Sequence, residues 1–128
     1  MIGSNGIDVS NNNGPLNLET GFSHLDFVIA KCTESTKFVD TSFNNYERQA
    51  ANNGIVFGAY HFLRAEHLAG ESEALFFLNH FTPVSGIGIW IDYETFSNSA
   101  NVDVEVVSLF AETIRTPIAA QRRAWRRS

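Results

Sequence analysis

The chain has little that would staple or anchor it. Cys32 is the only cysteine, so no internal disulfide can form. It lies in an apolar run, where a small buried hydrophobe is the expected reading. One methionine and three prolines leave the core to branched and aromatic side chains, with eleven phenylalanines available. No run approaches the roughly 20 apolar residues of a membrane span, so no membrane partner is expected. The N-terminus, Met1-Ile2-Gly3-Ser4-Asn5-Gly6, has neither the cationic start nor the apolar stretch of a signal peptide. Basic residues are scarce as well, nine against fourteen acidic, a net charge of −5. Four of the nine are Arg122, Arg123, Arg126 and Arg127. Residues 1–121 therefore hold five basic and fourteen acidic groups, a net of −9. An acidic body argues against nucleic acid as the main partner. The arginine-rich end is expected to be a solvated tail.

What is present suits one domain. The length is 128 residues and 44% are hydrophobic, enough for a packed core and too much for disorder. Short apolar runs alternate with helical periodicity. Ser4–Ser10 reads as a first strand, with Ile7 and Val9 on one face and Gly6 and Asp8 on the other. The turn formers Asn11-Asn12-Asn13-Gly14-Pro15 follow. Asp26–Thr33 reads as a second strand, apolar from Phe27 to Ala30 and so covered on both faces. Lys31 and Glu34 stand at its end, where they either pair with each other or serve a site. Residues 40–53 read as a helix through Phe43, Tyr46 and Ala50, closed by Asn53-Gly54. Ile55–Phe62 is a third strand ending in Tyr60-His61-Phe62. His61 there is either a structural histidine or a working one. Residues 68–81 form a second helix with Leu75 and Leu78 inside. Residues 102–114 form a third, with Val106, Leu109, Phe110 and Ile114 inside. Thr116–Ala120 is expected to begin a fifth strand.

The most telling stretch is Gly86-Ile87-Gly88-Ile89-Trp90-Ile91-Asp92-Tyr93-Glu94. Alternation puts Gly88, Trp90, Asp92 and Glu94 on one face and the isoleucines on the other. The two acids stand roughly 7 Å apart along the strand. Like charges that close raise at least one pKa. One protonated and one ionised carboxyl is the requirement of glycoside hydrolysis. The same Asp-x-Glu spacing also ends many ordinary strands. The wider pattern is more specific. A strand–helix rhythm implies parallel strands with right-handed crossovers. Asp8, Glu34, Tyr60, His61, Asp92 and Glu94 all fall at C-terminal strand ends, where α/β barrels carry their active sites.

Four segments carry a resemblance: Gly6-Ile7-Asp8-Val9-Ser10, Phe27-Val28-Ile29-Ala30-Lys31-Cys32-Thr33-Glu34, Phe57-Gly58-Ala59-Tyr60-His61-Phe62 and Ile89-Trp90-Ile91-Asp92-Tyr93-Glu94. In order and spacing they resemble glycoside hydrolase family 25, the lysozymes or N-acetylmuramidases. The resemblance implies an irregular parallel β/α barrel and cleavage of the β-1,4 bond between N-acetylmuramic acid and N-acetylglucosamine in peptidoglycan. It implies Glu94 as general acid, and Asp92 as the second carboxylate, attacking the anomeric carbon or steadying a substrate acetamido group that does so. Asp8 would complete an acidic floor. Glu34, Tyr60, His61 and Lys31 would line the sugar groove. No metal or organic cofactor is implied. Net retention is expected, because neighbours on one strand leave no room for a water between them.

Two departures accompany the resemblance. Ser35 follows Glu34 where the family usually has glycine, which matters if that turn needs positive φ. The resemblance covers roughly residues 3–118, and family domains are longer. Residues 1–120 are therefore expected to be a partial catalytic domain, an incomplete barrel of about the first four to five strands, and 121–128 a tail unlike the family. Open barrel edges would invite self-association. Activity is expected to suffer. The alternatives are an inactive truncated remnant or a fragment that binds peptidoglycan without turnover. Synthesis in the cytoplasm is expected, with any release to the wall by a route other than an N-terminal signal.

Overall fold

The computed structural model describes residues 3–64, 70–82, 88–94 and 104–127, with side chains in the last stretch described over 105–116. In chain order the elements are β1 (Gly6–Val9), a 3-10 turn at Asn11–Asn13, β2 (Phe27–Glu34), β3 (Phe38–Val39), α1 (Phe43–Asn52), β4 (Val56–Leu63), α2 (Gly70–His80), β5 (Ile89–Tyr93) and α3 (Val104–Arg127). The sheet runs β1-β2-β4-β5 with every neighbour parallel, and β3 pairs antiparallel with β2. It curls into an open half-barrel with helices against its convex face.

The core lies between strands and helices. Val28, Ala30 and Cys32 of β2 and Ala59 and Leu63 of β4 meet Phe43, Tyr46, Ala74, Phe77, Phe81, Val106, Phe110 and Ile114. Phe43 touches Phe57 and Phe81 edge-on, at centroid distances of 5.4 and 5.9 Å. Such pairs add about 0.5–1.5 kcal/mol each to plain burial. The stop of α1 is as the sequence implies: Gly54 adopts φ +64°, and the Ile55 N–H returns to the Ala50 carbonyl at 2.9 Å. Asp40 ties the start of α1 to the turn after β1. Its Oδ1 accepts from the Ser42 N–H at 2.8 Å and its Oδ2 from the Asn11 N–H at 3.0 Å.

Several expectations need correction. Leu75 is 50% exposed and Leu109 40% exposed, so neither is inside. The buried stripe of α2 is instead Gly70, Glu73, Ala74 and Phe77, spaced three, four and seven apart. Thr116–Ala120 starts no strand, because α3 continues through it to Arg127. The strong helix formers Ala119, Ala120, Gln121, Arg122, Arg123 and Ala124 outweigh the single Ile118 and carry the helix past Pro117. Strand β3 is only two residues long and carries no alternation to read. The expected fourth-strand start at Gly86-Ile87, the helix starts at 68–69 and 102–103, and the loop Ser97–Asn101 lie outside the described residues.

Candidate active site

The open face of the sheet carries the acids. On β5, Ile89 and Ile91 turn toward the core, so Trp90, Asp92 and then Glu94 turn the other way. Asp8 comes from β1 and Tyr60 from β4. Together Asp8, Ile29, Tyr60, Trp90, Ile91, Asp92 and Glu94 line a cleft of about 400 Å³, within the size range of small-molecule sites. Trp90 can lie against the sheet because Gly58 and Gly88 present no Cβ; one at either position would overlap the indole. The ring is 45% exposed, an apolar platform beside three carboxylates.

Burial raises the pKa of Asp92. The charge of Glu94, a side-chain hydrogen bond with Glu94 and the charge of Asp8 raise it further, and Lys31 pulls it back. Tyr60 is pushed up to about 12 by burial and by the charges of Asp92 and Asp8, while a hydrogen bond with Ser10 opposes them. Its hydroxyl therefore keeps its proton and can donate. Two neighbouring carboxyls can divide the acid and base roles of glycoside chemistry between them; the upward push on Asp92 opposes its anion, and the charge of Lys31 works against that push.

Lys31, Glu34 and His61 are not in the cleft lining. Neighbours on a strand face opposite sides, so Tyr60 and His61 cannot share the groove. His61 is fully buried under the helices. Its Nε2 lies 3.0 Å from Glu73 Oε1, its Nδ1 lies 2.7 Å from Thr33 Oγ1, and its ring stacks on Phe110 at 4.9 Å. It is a structural histidine. Lys31 and Glu34 pair with each other at 2.5 Å. Their spacing of three would put them on opposite faces of a regular strand. A bulge at Cys32, where Lys31 pairs with Tyr60 but Thr33 with His61, restores them to one face. Burial pushes the Glu34 carboxyl up, but hydrogen bonds from Lys31 and Arg64 and their charges outweigh it and hold it below its ordinary value. Arg64 and Ser10 went unremarked in the sequence, although the period-two series Tyr60, Phe62, Arg64 points Arg64 to the open face. Among the described residues, no group of His, Cys, Asp and Glu is arranged to hold a metal.

A family model described as Glycosyl hydrolases family 25 matches residues 7–122. Lysozyme M1 of Streptomyces globisporus is 37% identical over 79 residues, covering 61% of this chain and 27% of that protein. The N,O-diacetylmuramidase of a Chalaropsis species is 33% identical over 88 residues, covering 66% of this chain and 42% of that protein. A bacterial lysozyme structure from Streptomyces coelicolor superposes with a TM-score of 0.75 at 26% identity, covering 93% of this chain and 58% of that one. The match thus spans only about a quarter of one of these curated relatives and two fifths of the other.

Proposed function

The chain belongs to glycosyl hydrolase family 25, and from that premise we propose that its cleft is a muramidase site acting on the β-1,4 bond between N-acetylmuramic acid and N-acetylglucosamine. Glu94 donates its proton to the glycosidic oxygen as the bond from that oxygen to the anomeric carbon breaks. Asp92, as its anion, meets the positive charge that grows on the sugar, either by bonding to the anomeric carbon or by steadying the acetamido oxygen that does so. A water then attacks the anomeric carbon from the side the sugar left, giving a proton to Glu94 as the bond from that carbon to Asp92 or to the acetamido oxygen breaks. Asp8 completes the floor, Tyr60 offers its hydroxyl, and Trp90 supports a sugar face. The proposed outcome is net retention, because Asp92 and Glu94 stand two residues apart and line the same cleft, and closely spaced carboxyls belong to the retaining arrangement, at about 5 Å.

The observation that carries this reading is the convergence of Asp8, Asp92 and Glu94 with Tyr60 and Trp90 in one open cleft. The test is clearing of a suspension of purified bacterial walls, followed by turbidity. Clearing supports hydrolysis. Sedimentation of the protein with walls that stay turbid would support binding without turnover and overturn the proposal.

A further inference from the structure

A run of charges at the end of β4 has no part in that mechanism. Arg64 donates through Nε at 2.9 Å and Nη2 at 2.7 Å to Glu34 Oε2, and its guanidinium lies 5.0 Å over the Phe62 ring. The other oxygen of Glu34 takes Lys31 Nζ at 2.5 Å. Lys31 is only 6% exposed, and its ammonium sits 5.1 Å from the ring centroids of both Phe38 and Phe62. An ammonium held by one carboxylate and two ring faces has given up most of its water and most of its freedom. Behind this, the Arg64 backbone N–H donates at 3.0 Å to Glu73 Oε1, the oxygen that also holds His61. The anchor therefore runs from the helix layer through Arg64 and Glu34 to Lys31. Strand register decides where it ends. Lys31 pairs with Tyr60 and Glu34 with Phe62, and Tyr60 and Phe62 pair in turn with Trp90 and Asp92.

We propose that Arg64, Glu34 and Lys31 form a positioning chain that pins the Lys31 ammonium beside the acid floor, where it favours the anion of Asp92 without pairing with it. This rests on Asp92 being the second carboxylate of the reaction proposed above. The described groups that face Asp92 are Asp8 from β1, Lys31 from β2, Tyr60 from β4 and Glu94 beyond the end of its own strand. Lys31 is the only cation among them. Unopposed, burial and two neighbouring acids would disfavour the Asp92 anion, the form that meets positive charge, still more. A lysine bonded directly to Asp92 would block it instead. Glu34 takes that direct bond, and Arg64 offsets the charge of Glu34, so the three groups together keep one net positive charge near Asp92.

The experiment is an NMR titration of the Asp92 side-chain carboxyl in the whole chain, assigned with Asp92→Asn. Lys31→Met should move the Asp92 midpoint up, and Arg64→Gln should do the same to a smaller extent. Glu34→Gln should move it down, because the cations then act unneutralised. Lys31→Arg should hold it near the wild-type position. Opposite shifts in Lys31→Met and Glu34→Gln are what loosened packing alone would not produce. Midpoints that stay put, or that move the same way in both, overturn the proposal. Should Lys31→Met not fold, Arg64→Gln and Glu34→Gln carry the same test, since Arg64 is partly exposed. The titration needs no turnover. Failure to clear walls would sink the muramidase reading and leave these shifts standing, whereas absent shifts with clearing would sink only the chain.

Discussion

Replacing Glu73 by alanine removes a carboxylate from a place that water cannot refill. Glu73 is 1% exposed, and its Oε1 accepts from His61 Nε2 and from the Arg64 backbone N–H, each at 3.0 Å. His61 is 0% exposed, so its Nε2 would be stranded in the helix layer. A buried donor left without a partner costs about 1–3 kcal/mol. The Arg64 N–H is only part-buried and can recover water, so it adds less. The two together cost about 3 kcal/mol, with the low end of the range taken for the second. Against a total stability of about 5–15 kcal/mol that is a large fraction. At a urea slope of about 2 kcal/mol per M, the unfolding midpoint should fall by about 1.5 M. Glu73→Gln keeps an acceptor oxygen and should cost about 1 kcal/mol. The assay is urea unfolding followed by circular dichroism. A midpoint for Glu73→Ala within about 0.3 M of wild type, less than 1 kcal/mol at that slope, would refute the reasoning. So would equal damage from alanine and glutamine.

Three further outcomes follow from the geometry. Ser35 sits at φ +51°; left-handed backbone costs a non-glycine residue about 1–2 kcal/mol, of which glycine returns part to chain entropy. Ser35→Gly should therefore stabilise by about 0.5 kcal/mol, and a loss of stability in thermal melting would contradict this. Asp92→Asn should unfold at higher urea than wild type at pH 7. The raised folded-state pKa of Asp92 means its ionised form costs stability above that pKa, and the advantage of asparagine should vanish as pH falls below the ordinary aspartate value of 3.8. An advantage that grows on acidification would show the sign to be wrong. Fresh product from soluble glycan strands should carry the β-anomer by proton NMR, and an α-anomer would rule out retention.

Much of the site was legible because it depends on alternation and strand ends. Trp90 and Asp92 share a face of β5 and Glu94 just beyond its end lines the same cleft, which Asp8 and Tyr60 reach from β1 and β4. The placing of His61 was equally open to the period-two rule, which separates it from Tyr60, but its sequence position at a strand end suggested the groove. The shared face of Lys31 and Glu34 was not legible. It depends on the bulge at Cys32, and no residue pattern in β2 announces a bulge. The rotation of α2 was hidden because its buried stripe includes a charged residue, Glu73, whose partner His61 belongs to a distant strand. The condition attached to Ser35 is met, since the turn does take positive φ there. The length of α3 was missed because Pro117 and Ile118 look like a break, while the helix formers after them prevail.

The most direct test of the account is the rate at which reducing muramic acid ends appear from purified walls, wild type against Glu94→Gln at equal folded concentration. The account predicts release by wild type and a loss of about 10²- to 10⁴-fold in the variant, the contribution of a positioned general acid. Equal rates in the two proteins would contradict it.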